Sequence, residues 1–104
     1  MENSWKNYGG NDLVDANGFM VALALDSQDR PCIATLIHGH LIVKHWNGNS
    51  WIDYADEINI DPDQDVYSFD MALNASDNPV IVWSEDDGSG GYVLHAKVFN
   101  GLKK

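Results

Sequence analysis

The sequence states one structural phrase twice. Ala24-Leu25-Asp26-Ser27-Gln28-Asp29-Arg30-Pro31-Cys32-Ile33 aligns with Ala72-Leu73-Asn74-Ala75-Ser76-Asp77-Asn78-Pro79-Val80-Ile81 at an offset of 48, with Ala, Leu, Asp, Pro and Ile in register. Leu41-Ile42-Val43-Lys44-His45-Trp46-Asn47-Gly48 aligns with Leu94-His95-Ala96-Lys97-Val98-Phe99-Asn100-Gly101 at an offset of 53. Asn3-Ser4-Trp5-Lys6-Asn7-Tyr8 aligns with Asn49-Ser50-Trp51-Ile52-Asp53-Tyr54 at an offset of 46. Two copies of one supersecondary unit rarely bury a continuous core by themselves, and stacked repeats generally need three or more. The duplication therefore constrains the fold and the assembly together.

Within each repeat the apolar period is two. Val21, Leu23 and Leu25 alternate with small Ala22 and Ala24; Phe69, Met71 and Leu73 alternate with Asp70 and Ala72. This is the pattern of a strand with one bulky and one small face, suited to stacking between two sheets. The Asp-, Asn- and Ser-rich stretches at 26–31 and 74–79 are turns, because such side chains bond their own backbone. Pro31 and Pro79 cannot donate to a ladder and belong at strand starts. Second strands are expected over 32–36 and 80–84, third strands over 41–46 and 94–99, and a fourth over 51–54. Asn47-Gly48 marks a hairpin. Gly39 marks a short tip, and Glu85, Asp86 and Asp87 open a long glycine-rich one that is expected to be solvated. No segment carries a helical apolar period, so the chain is expected to be all-β.

The order along the chain is strand four, strands one to three, strand four, strands one to three. One four-stranded unit is complete within 20–60. The other, 66–101, lacks its outer strand, and 5–14 has the sequence to supply one to a neighbouring copy. Two such sheets alone expose more apolar face than a soluble monomer usually tolerates. The expected remedy is a homo-oligomer with Trp5, Tyr8, Val98 and Phe99 at the contact between copies. That contact is heterologous, so it must close into a ring or run on as a fibre.

Composition narrows the partners. Six basic residues against sixteen acidic ones give a formal charge of −10. Such a surface repels phosphate backbones, so neither nucleic acid nor anionic membrane is an expected partner. Cys32 is the single cysteine, which excludes an intrachain disulfide and suits a small buried hydrophobe. No apolar run approaches the roughly 20 residues of a membrane helix. No signal peptide is visible from Met1 onward, so the chain as written reads as cytoplasmic.

A unit of about 48 residues with four short antiparallel strands resembles a β-propeller blade. The resemblance rests on the paired Ala-Leu-(Asp/Asn)-x-x-Asp-x-Pro turn and the Lys-x-(Trp/Phe)-Asn-Gly hairpin. It implies two blades per chain and a closed propeller formed by oligomerisation, six blades as a trimer or eight as a tetramer. The Trp-Asp signature of WD40 repeats is absent. Trp46-Asn47-Gly48-Asn49-Ser50-Trp51 is similar to the Trp-Asp-Gly-x-x-Trp hairpin of small fucose-binding propeller lectins. That similarity implies a glycan site at Trp46, Asn47, Asn49 and Trp51, since aromatic faces beside amides suit sugars. The acidic residue and the strand Arg of those lectins have no counterparts here: Val43 and Lys44 precede His45, and 32–36 carries no Arg.

Other chemistry is sparse. His38, His40 and His45 lack metal-site spacing, and His95 falls within a strand. Asp61-Pro62-Asp63-Gln64-Asp65 has alternating carboxylates, but Val66 stands where a calcium loop needs Gly. No nucleophile elbow, phosphate loop or carboxylate pair is present. The expectation is a non-catalytic binding or scaffold module with no cofactor and no metal. The alternatives are a protein-interaction scaffold or a ligand-free engineered or ancestral-style propeller fragment.

Overall fold

The computed structural model describes residues 4–9, 20–54 and 58–100, and among them every regular element is a strand. β1 (Val21–Leu25), β2 (Pro31–Ile37), β3 (His40–Trp46) and β4 (Trp51–Asp53) form one antiparallel meander; β5 (Val66–Leu73), β6 (Pro79–Asp86) and β7 (Tyr92–Val98) form a second. Neither sheet is closed. No helix among the described residues is long and apolar enough to cross a membrane.

The two sheets repeat each other in atomic detail at their first turn. Leu25 opposes Pro31, and Leu73 opposes Pro79. Asp26 N–H donates to the Arg30 carbonyl at 2.9 Å, and Asn74 N–H to the Asn78 carbonyl at 2.9 Å. The Asp26 Oδ1 accepts the N–H groups of Gln28 and Arg30; the Asn74 Oδ1 accepts those of Ser76 and Asn78. Asp29 and Asp77 take the left-handed conformation at φ 63° and 62°, a region Asp and Asn tolerate better than other side chains. The third strands keep the repeat as well, with Lys44 opposite Ile33 and Lys97 opposite Ile81.

Packing follows from the alternation. Paired residues share a face, so Ala22, Ala34 and Val43 line one side of the first sheet, with Ala24, Cys32 and His45 in the next row. Against that small face packs the bulky face of the second sheet: Phe69, Met71, Leu73, Ile81 and Trp83. Trp83, at 1% exposure, is the largest side chain in this core, and Cys32 is fully buried. Large side chains thus enter the space that small ones leave.

The same logic leaves two faces without a partner. The bulky side of the first sheet exposes Val21, Leu23 and Leu25, at 65, 63 and 54%. The small side of the second sheet exposes Ala72, Val82, Ala96 and Val98, with the Asp70 carboxylate beside Val82. Each unpartnered face is the repeat equivalent of one that is buried in the chain.

The second tip differs from its expected extent. β6 runs through Glu85 and Asp86, and Glu85 is 2% exposed rather than solvated. Its carboxylate accepts the Ile60 N–H at 2.9 Å and the Asp61 N–H at 2.8 Å, both from the connector between β4 and β5, and the Trp83 indole N–H at 2.8 Å. The solvated turn begins at Asp87, whose Oδ1 accepts the Ser89 and Gly91 N–H groups.

Candidate functional site

The turns after β1, β3 and β5 gather at one end of the sheets, and two polar–aromatic clusters form there. The first joins the sheets. His45, on β3, places Nε2 2.9 Å from the Asp26 carboxylate and Nδ1 3.0 Å from the Tyr54 hydroxyl. The Tyr54 ring stacks on Phe99 of the second repeat, centroids 4.5 Å apart. Close by, Asp77 accepts the Ser27 N–H at 2.8 Å and the Ser27 hydroxyl at 2.6 Å.

The electrostatics of this cluster favour structure over reaction. Burial raises the Asp26 carboxyl, but the N–H groups of Arg30 and Gln28, with His45, outweigh it and hold it below the ordinary aspartate value. Burial, reinforced by Asp26, pushes the Cys32 thiol up to about 12, so it is not a thiolate at neutral pH. Burial, with Cys32, Asp26 and Asp77 nearby, likewise pushes Tyr54 up to about 12. The Ser27 hydroxyl points to Asp77, not to His45. What remains is a hydrogen-bonded brace that fixes the β1–β2 turn to β3 and to the residue after β4.

The second cluster contains the sequence-nominated Trp46, Asn47, Asn49 and Trp51. Trp46 and Trp51 face each other across the hairpin, edge to face at 5.5 Å. The loop between them is the four-residue turn 47–50: the Asn47 N–H bonds the Ser50 carbonyl at 3.0 Å, and the Asn47 Oδ1 accepts the N–H groups of Asn49 and Ser50. Gly48 alone supplies the positive φ, and the Arg30 guanidinium lies against it while donating to the Asn47 carbonyl. Arg30 belongs to the turn before β2, so a search of the strand itself misses it.

This aromatic pair is already engaged. Tyr8 meets Trp46 edge-on at 5.6 Å, and the Trp51 indole N–H donates to the Tyr8 carbonyl at 2.9 Å. A Cβ placed on Gly9 lies 3.2 Å from the Trp51 ring nitrogen, so the segment approaches as closely as glycine permits. Residues 4–9 form no strand, and Trp5 is fully exposed. The rest of the expected donor segment, 10–14, lies outside the described residues.

The remaining nominated contact residues sit at the open side of the second sheet. Val98 is 49% exposed on β7, which has β6 as its strand neighbour and is otherwise the sheet edge. Phe99 follows it, tied by its N–H to the Pro79 carbonyl.

The other candidates resolve into local structure. His38 and Gly39 form the β2–β3 turn, both at positive φ. His95 lies 5.5 Å from the Trp83 ring, over which Lys97 also extends. Asp61 closes its own turn, with Oδ1 on the Asp63 N–H and its carbonyl on the Gln64 N–H. Among the described residues no three His, Cys, Asp or Glu side chains gather as a metal site.

The Asp26–His45–Tyr54 brace was not singled out from the sequence, although the repeat carries its signal. Where the first repeat has Asp26 and His45 the second has Asn74 and Val98, so both partners change together. No protein-family model matches the sequence, and neither a curated protein nor a solved structure matches it significantly.

Proposed function

We propose that the chain is a self-assembling, non-catalytic scaffold, a two-blade unit whose copies join head to tail into a closed β-propeller. The supporting observation is the pairing of faces. Inside the chain a small-residue face receives a bulky one; at its two ends a bulky face and a small-residue face are left open. The open faces are the repeat equivalents of the joined ones, so each can receive a neighbouring copy, and ring closure covers both. Burying the exposed part of each such Val or Leu is worth about 1–2 kcal/mol. Three copies make six blades and four make eight, with three the favoured number.

In this reading the 5–14 segment supplies a fourth strand to β7 of another copy. The pairing of Trp46 with Trp51, His45 with Ile52 and Lys44 with Asp53 maps onto Phe99 with Trp5, Val98 with Lys6 and Lys97 with Asn7. The ring then displays each turn cluster several times, an arrangement suited to weak binding multiplied by avidity. Carbohydrate at Trp46, Asn47, Asn49 and Trp51 ranks second to protein scaffolding as the use of that display, because Tyr8 and Gly9 occupy the indole surfaces. A glycan array probed with the assembled ring separates the two: binding lost in Trp51→Ala, with assembly kept, favours the lectin use, and a blank array favours the scaffold.

A further inference from the structure

We infer that the contact between copies reproduces the contact inside the chain residue for residue, with Asp29 of one copy accepting the Ala75 N–H of another. The inference rests on the head-to-tail reading above and specifies its chemistry. Inside the chain, the turn of the leading sheet offers Ser27, and the turn of the following sheet receives it with Asp77. By the offset of 48, Ser27 corresponds to Ala75 and Asp77 to Asp29. When a second copy leads, its Ala75 faces the Asp29 of the copy that follows.

Both halves of this clasp are already formed. Asp29 and Ala75 are exposed, and the two turns share their hydrogen bonds and their left-handed aspartate. The aromatic part of the contact is preset too. Tyr54 on Phe99 is, by offsets of 46 and 53, the equivalent of Tyr8 on Trp46. Residues 4–9 therefore rest where the outer strand of a leading sheet belongs, before any second copy arrives. Docking then requires neither a hinge nor an exchange of structure.

The two clasps differ in strength. Ser27 supplies an N–H and a hydroxyl, whereas Ala75 supplies an N–H alone. The contact between copies is weaker than the internal one by one charge-assisted hydrogen bond, and Ala75→Ser restores it.

The test is a dilution series of the full chain followed by native mass spectrometry, on wild type, Ala75→Ser, Asp29→Gly and the double variant. Glycine keeps the positive φ at 29 while removing the acceptor. Ala75→Ser is expected to lower the half-assembly concentration about tenfold or more per contact, the worth of one hydrogen bond to a charged group, and Asp29→Gly to raise it. The gain from serine should vanish in the Asp29→Gly background. If wild type assembles but Ala75→Ser matches it, or the serine gain survives Asp29→Gly, the clasp is overturned and the ring stands. If wild type stays monomeric at every concentration, the ring reading falls and the clasp with it.

Discussion

The ring of Tyr54 lies on the ring of Phe99, centroids 4.5 Å apart and planes 19° from parallel. The stack joins the end of the first sheet to the end of the second, and the Tyr54 hydroxyl carries the connection back to His45 and Asp26. Tyr54→Phe keeps the stack and loses one hydrogen bond, costing about 1 kcal/mol. Tyr54→Ala removes the ring as well and should cost about 3 kcal/mol. Urea denaturation measures both; equal losses would show that the stack contributes nothing.

Glu85 is the most consequential buried acid. It satisfies two connector N–H groups and the indole of the central Trp83. Glu85→Ala leaves these donors without their acceptor and should cost at least about 3 kcal/mol. Glu85→Gln keeps one acceptor oxygen and should recover part of that loss. Full stability in Glu85→Ala would mean that the connector is not anchored there.

Asp26 and Glu85 also set the acid limit. Burial raises both carboxyls, but hydrogen bonds outweigh it and hold them below their ordinary values. A carboxyl depressed in the folded chain contributes stability that is complete above its unfolded value, about 4, and is lost as pH falls through the folded value. The denaturation midpoint should be flat down to about pH 5 and decline below about pH 4, less steeply in Glu85→Gln. At the alkaline end the sign reverses. Tyr54 is raised to about 12, so its neutral form stabilises the fold fully below the unfolded value of about 10, and that contribution is lost as pH rises toward the folded value. Tyr54→Phe should flatten the alkaline decline.

The strands were legible because period-two alternation and turn chemistry agree in both repeats. Leu25–Pro31 and Leu73–Pro79 fall where the aligned prolines place them. Cys32 was legible as core from its apolar run. Glu85 was not: a lone acid beside Asp86, Asp87 and a glycine run reads as solvated, and its burial depends on N–H groups 24 and 25 residues away. Arg30 and the His45 brace escaped for the same reason, since the turn that positions them is distant from the hairpin they touch. The open ends of the sheets were legible in kind, because the repeat shows which strand is missing, but not in which side chains each exposes.

Leu23 and Met71 are equivalent positions with opposite surroundings, the first 63% exposed and the second 7%. Met71→Asp puts a charge into the core and should unfold the chain. Leu23→Asp should leave the single chain's stability within about 0.5 kcal/mol and abolish assembly. Circular dichroism with light scattering separates these outcomes. An unchanged oligomer in Leu23→Asp would remove the β1 face from the contact.

The most direct test of the account is the absolute mass of the full chain in dilute solution, by light scattering or native mass spectrometry. The account predicts a discrete closed species of three chains, with four the alternative, that remains after dilution. A folded monomer, stable over the whole concentration range with both open faces in water, would contradict it.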